Sequence, residues 1–107
     1  MSYAVRLTDT AKQDLREIAF GIADQSKDVE ITKRFVTELR TECKKLDIFP
    51  YSGSFPKDRI LKSFGYRFVV YKEYPIFYLV DEDKKLVNVM AIFNSKKDYM
   101  KVMKNFI

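Results

Sequence analysis

Residues 64–94, FGYRFVVYKEYPIFYLVDEDKKLVNVMAIFN, constrain the fold more than any other stretch of this chain. They hold three runs of β-branched and aromatic residues. A Lys-Glu-Tyr-Pro break and an acidic-basic turn, Asp81 to Lys85, separate the runs. Such residues fit a pleated, half-buried surface, so the segment predicts an antiparallel meander. The strands are expected at residues 66–71, 76–80 and 86–93.

Upstream, the periodicity changes. Ala11, Leu15, Ile18, Ala19 and Ile22 form one helical stripe, and Ile31, Phe35, Leu39, Cys43 and Leu46 form another. Two helices follow, roughly 9–23 and 28–46, joined by a polar link at residues 24–28. Thr8 or Thr10 can cap the first, and Thr10 with Gln13 fits a capping box. Each stripe needs a partner, and the sheet is the apolar surface available. Residues 3–7 alternate as a short first strand, residues 49–57 form a loop with two prolines, residues 60–64 suggest a further short strand, and residues 99–106 a closing helix. The expected fold is a single α+β domain over residues 1–107: an N-terminal strand and a two-helix hairpin packed on a twisted antiparallel sheet, with a short C-terminal helix.

The strand pattern has one oddity. Ile76, Tyr78 and Val80 alternate with Phe77 and Leu79; Leu86, Met90 and Ile92 alternate with Val87, Val89 and Phe93. Both faces are apolar. Either loops and the closing helix cover the second face, or a partner chain does.

Composition removes several chemistries. There is no histidine, so zinc sites and Ser-His triads are not expected. The single cysteine, Cys43, lies on the second helical stripe and reads as core. No apolar run is long enough to span a membrane, and the charged Arg6 and Asp9 interrupt any leader, so a cytoplasmic location is expected. Charge is unevenly placed. Residues 9–47 carry eight Lys/Arg and nine Asp/Glu, net −1, whereas residues 48–107 carry eleven and six, net +5. A basic sheet half suggests a polyanion or an acidic protein as partner.

Five segments in this order, LTDTAKQDLREI, KKLDIFPYSG, LKSFGYRFVVY, IFYLVDEDKKLVNVMAIF and SKKDY, resemble the RelE/ParE superfamily of toxins from type II toxin–antitoxin systems. The resemblance covers about residues 3–103. It implies a small basic toxin held inactive by a cognate antitoxin that wraps it with a helix and an extended segment. RelE-like members cut mRNA on the ribosome; ParE-like members poison DNA gyrase without known catalytic residues. The helical hairpin and the FP-x-x-G loop look ParE-like, and the SKKDY ending looks RelE-like.

Metal-free RNA cleavage must deprotonate the 2′-OH, stabilise the phosphorane and protonate the leaving oxygen. The resemblance assigns this to Lys62, Arg67, Lys96, Lys97 and Tyr99, with no metal and no cofactor. A lysine crowded by other cations gives up its proton more readily, and an arginine clamps phosphate through two donors. Tyr99 would stack on a base or donate a proton. Alternatively Lys96 and Lys97 are solvated, Tyr99 is packing, and Arg67 pairs with an antitoxin carboxylate. The leading expectation is ribosome-dependent mRNA cleavage. Its rivals are gyrase inhibition, or a non-toxic nucleic-acid-binding relative.

Overall fold

The computed structural model describes residues 2–96, 99–103 and 105. The element order is β1 (Ala4–Leu7), α1 (Asp9–Ser26), α2 (Val29–Lys44) running into a 3-10 turn (Lys45–Asp47), α3 (Arg59–Ser63), β2 (Arg67–Tyr71), β3 (Tyr74–Asp81), β4 (Leu86–Ile92) and α4 (Tyr99–Met103).

Thr8, not Thr10, starts α1. Its Oγ1 accepts from the Ala11 N–H at 3.2 Å and donates to the Val89 carbonyl at 3.0 Å, fixing the helix start to β4. Further along, the Asp14 carboxylate accepts from the Ile92 N–H at 3.0 Å, a second helix-to-sheet tie. Lys27 closes α1 in the left-handed region with φ 55°. Asp28 then caps α2, its Oδ1 accepting from Glu30 and Ile31 at 2.9 and 3.2 Å. These caps reverse the chain within a few residues, so the hairpin lays both stripes on one face of the sheet.

The sheet order is β1-β4-β3-β2. The meander β2-β3-β4 is antiparallel as expected. Strand β1 adds to β4 in parallel, with Val5 opposite Val87 and Leu7 opposite Val89, so the sheet is mixed. The helical hairpin supplies the long crossover that such a parallel pair needs.

Beneath the helices, Ala11, Leu15, Phe35, Leu39, Cys43 and Leu46 pack on Ile76, Tyr78, Val87, Val89 and Ile92. On the other face, Leu61, Tyr66, Phe77, Ala91, Phe93 and Met103 form a smaller core. The chain therefore covers much of its own second face, through α3 and α4. The alternation expected in β4 fails midway. A register shift between Phe77 and Tyr78 places Phe77 opposite Ala91 but Tyr78 opposite Val89, leaving Met90 as the extra residue. That bulge exchanges the faces, so Val87, Val89 and Ile92 point to the helices and Phe93 away from them.

Residues 60–64 are not a strand. The Asp58 carboxylate accepts from Ile60 and Leu61 at 2.9 and 3.0 Å, which starts a helical turn. Gly65, at φ 90°, ends it: its N–H donates to the Lys62 carbonyl and that of Tyr66 to the Leu61 carbonyl. These two bonds are those of a Schellman motif, which needs a residue with positive φ at this position. The turn buries Leu61 and leaves Lys62 outside.

Candidate functional site

Two surfaces concentrate charge and apolar side chains. The first is a corner at the β2 edge, where the loop after the 3-10 turn folds back on the sheet. Ser54 and Phe68 exchange both main-chain hydrogen bonds at 2.9 Å, docking the loop on β2. The Gly53 N–H donates to the Tyr78 hydroxyl at 2.9 Å. A Cβ on Gly53 would lie 2.5 Å from that hydroxyl and 2.8 Å from the Phe68 carbonyl, so only glycine fits. Burial pushes the Tyr78 phenol up, and it stays a neutral partner.

Arg67 locks this loop. Its Nη1 donates to the Tyr51 and Gly53 carbonyls at 3.1 and 3.0 Å. Its guanidinium lies 4.2 Å from the Phe55 ring centroid and 5.2 Å from that of Tyr51. The Lys62 ammonium sits 5.1 Å from the same Phe55 ring. Tyr51 in turn bonds the Glu82 carboxylate, which pushes its phenol well above the usual range and ties the loop to the β3–β4 turn.

The second surface is a groove at the opposite edge of the sheet, between β1 and α2. A cavity of about 410 Å³ is lined by Val5, Leu7, Thr37, Arg40, Thr41, Cys43 and Lys44. It meets, at Thr37, another of about 420 Å³ lined by Ala23, Val29, Thr32, Lys33 and Val36. The floor is apolar and the rim cationic. Because the main chains of Ala4 and Thr8 donate to β4, those of Val5 and Leu7 face outward into the groove. Burial pushes the Cys43 thiol up to about 11, so it remains a protonated core group at neutral pH.

Of the five residues assigned to catalysis from the sequence, the structure brings together Lys62 and Arg67, around Phe55. Lys96 lies elsewhere. Its neighbour Ser95 donates to the Glu73 carbonyl at 2.8 Å, in the β2–β3 turn, whereas Arg67 is paired with Tyr78. Glu73 and Tyr78 are five positions apart, which at about 3.3 Å per residue separates the two sites by about 16 Å along the strand. Lys97 lies outside the described residues. Tyr99 opens α4, and its side chain is likewise outside them. Among the described residues no group of His, Cys, Asp and Glu is arranged to hold a metal ion, and no helix is long and apolar enough to cross a membrane.

Tyr51, Gly53, Phe55 and Tyr78, which build the corner, are not among the five residues assigned from the sequence, although the FP-x-x-G loop holds two of them. The glycine between two aromatic-proline pairs, in FPYSGSFP, was the available signal.

These features fit one class of protein. The family model for the ParE toxin of type II toxin–antitoxin systems, parDE, matches residues 5–99. The chain belongs to that family, and is a toxin of a type II toxin–antitoxin system. Among solved structures, the chromosomal ParDE system of P. aeruginosa is similar with a TM-score of 0.73 at 15% identity, over 89% of this chain and 98% of that one. The RelBE2 toxin–antitoxin complex of Mycobacterium tuberculosis gives 0.63 at 19% identity, over 88% and 99%. A mutant of E. coli RelE in the free state gives 0.63 at 12% identity, over the whole of both chains. A search of curated protein sequences returns no match. At these identities the structures establish a shared fold.

Proposed function

We propose that this toxin acts by binding its target rather than by cutting RNA, as a ParE-like inhibitor of DNA gyrase. The observation that carries this reading is the separation of Lys96 from Lys62 and Arg67, about 16 Å along the sheet, which disfavours a compact catalytic cluster. Arg67 itself is built into the loop: Nη1 donates to two loop carbonyls and the guanidinium stacks on Phe55, leaving Nε and Nη2 for a partner. The family match is to ParE toxins.

The partner that neutralises it is a cognate antitoxin, since the ParDE and RelBE2 relatives are toxin–antitoxin assemblies. The groove between β1 and α2 suits an antitoxin. Its apolar floor would take the apolar stripe of a helix, Lys33, Arg40 and Lys44 would pair with acidic residues, and the outward edge of β1 would accept an added strand.

The test is pulsed expression with two readouts: supercoiling of relaxed plasmid by purified gyrase with the toxin added, and primer extension on ribosome-bound message. Gyrase inhibition with uncut message is the expected result. Cut message with unaffected supercoiling would instead favour ribosome-dependent cleavage by Lys62, Arg67, Lys96, Lys97 and Tyr99.

A further inference from the structure

The corner at the β2 edge is more than a well-packed loop. Its aromatic and aliphatic side chains remain in solvent: Tyr51 is 44% exposed, Phe55 47%, Ile60 54% and Phe64 58%. Exposed apolar side chains on a preorganised backbone lose little entropy when a partner covers them. The backbone here is held at Gly53, at Ser54 and by both carbonyl bonds from Arg67.

Charge selects the partner. Lys57, Arg59, Lys62 and Arg67 fall within eleven residues, against Asp58, which caps α3, and Glu82, which reaches Tyr51 from the β3–β4 turn. The surface is therefore cationic and apolar together. Two polyanions could answer it, and ring access decides between them. Single-stranded RNA gains affinity by stacking bases on open aromatic faces. Phe55 already carries Arg67 and Lys62 over its ring, and Tyr51 carries Arg67. Cations already on a face of each ring reduce the open face left for stacking, while ring edges and aliphatic groups remain for the partner, which suits a protein surface.

We infer that the corner formed by the loop around Tyr51 and Phe55 and by α3 is the surface that grips the toxin's protein target, through an acidic, partly apolar face of that target. This rests on the binding-toxin reading above. It places target contact at the edge of the sheet opposite the β1–α2 groove.

The test uses purified gyrase and relaxed plasmid as the probe, with the full toxin chain. Arg59→Glu with Lys62→Glu reverses the corner's charge; Lys12→Glu with Arg16→Glu makes the same change on the exposed face of α1. Like charges brought together across an interface cost several kcal/mol, so the corner variant should need at least about tenfold more protein for half-inhibition, and the α1 variant the same amount as the parent. Phe64→Ser, which removes exposed apolar surface without touching charge, should also weaken inhibition, and it decides the matter if the double reversal fails to fold. Corner variants with the parent's circular dichroism and melting temperature that inhibit as well as the parent would overturn the assignment while leaving the binding-toxin reading standing. A parent that leaves gyrase untouched would bring down that reading. Tight binding of labelled single-stranded RNA, lost on the same charge reversal, would give the corner to nucleic acid and overturn the proposal.

Discussion

The β1–α2 groove and the β2-edge corner lie at opposite edges of one four-stranded sheet, and they are built differently. The groove is made by regular elements: a helical face at i, i+4 and i+7 spacing, Lys33, Thr37 and Arg40, set beside a strand whose outer edge is open. The corner is made by an irregular loop held by side chains from distant parts of the chain, Arg67 and Tyr78. A groove of the first kind offers an apolar floor and an open strand edge to a helix or strand laid along it. A corner of the second kind is fixed before any partner arrives. The difference matches the two roles proposed: an elongated surface for a neutralising segment and a compact, preorganised one for a target.

That contrast can be broken by substitution. The largest effect is expected where both surfaces share a foundation. Leu39 is fully buried beneath the helices, and Leu39→Ala should cost about 2–5 kcal/mol in denaturant unfolding, degrading groove and corner together. Next comes Gly53→Ala. The new methyl meets the Tyr78 hydroxyl and the Phe68 carbonyl, so a loss of about 1–3 kcal/mol is expected. Its effect on local order should be confined to the corner, which amide exchange of Ser54 and Phe68 would report. Asp58→Ala removes the α3 cap and should cost about 1 kcal/mol, read as a fall in thermal midpoint with the groove's amides unchanged.

A further effect is pH-dependent and belongs to the groove side. Burial holds the Cys43 thiol up to about 11 from an ordinary value of 9.0. The folded state therefore favours the protonated form. Its contribution is complete below pH 9 and is lost as pH rises through the window from about 9 to about 11. A Cys43→Ala variant, less stable at neutral pH because of the cavity, should lose less further stability across that window than the parent does. Equal losses in parent and variant would remove Cys43 as a contributor.

The helices and the meander were legible from residue type and spacing, because their stripes are local: Leu15 and Ile18, or Phe35 and Leu39, announce a face without reference to the rest of the chain. The face exchange in β4 was not legible, since the bulge at Met90 depends on which residue β3 sets opposite it. The helical turn at Arg59–Ser63 had a signal that strand-like Ile60 and Leu61 masked, namely Asp58 before it and Gly65 after it. Lys62 and Arg67 meet around Phe55, whereas the expectation was that all five basic and tyrosine residues share one patch. What the sequence could not convey was that Arg67 turns inward to the loop, because its acceptors lie 14 and 16 residues upstream. The same limit hid the distance to Lys96, which is set by the β2–β3 turn and not by sequence spacing.

The central structural claim is that Arg67 shapes the corner, and it can be tested without assuming a target. Growth arrest on induction would be compared for Arg67→Ala and Gly53→Ala, each checked for the parent's circular dichroism. An arginine that acts by shaping the corner predicts that both variants lose arrest together, since displacing the loop is equivalent to releasing it. Full arrest by Gly53→Ala, with the loop demonstrably displaced, beside complete loss in Arg67→Ala would show that the guanidinium acts directly and would contradict the account of Arg67 as the residue that shapes the corner.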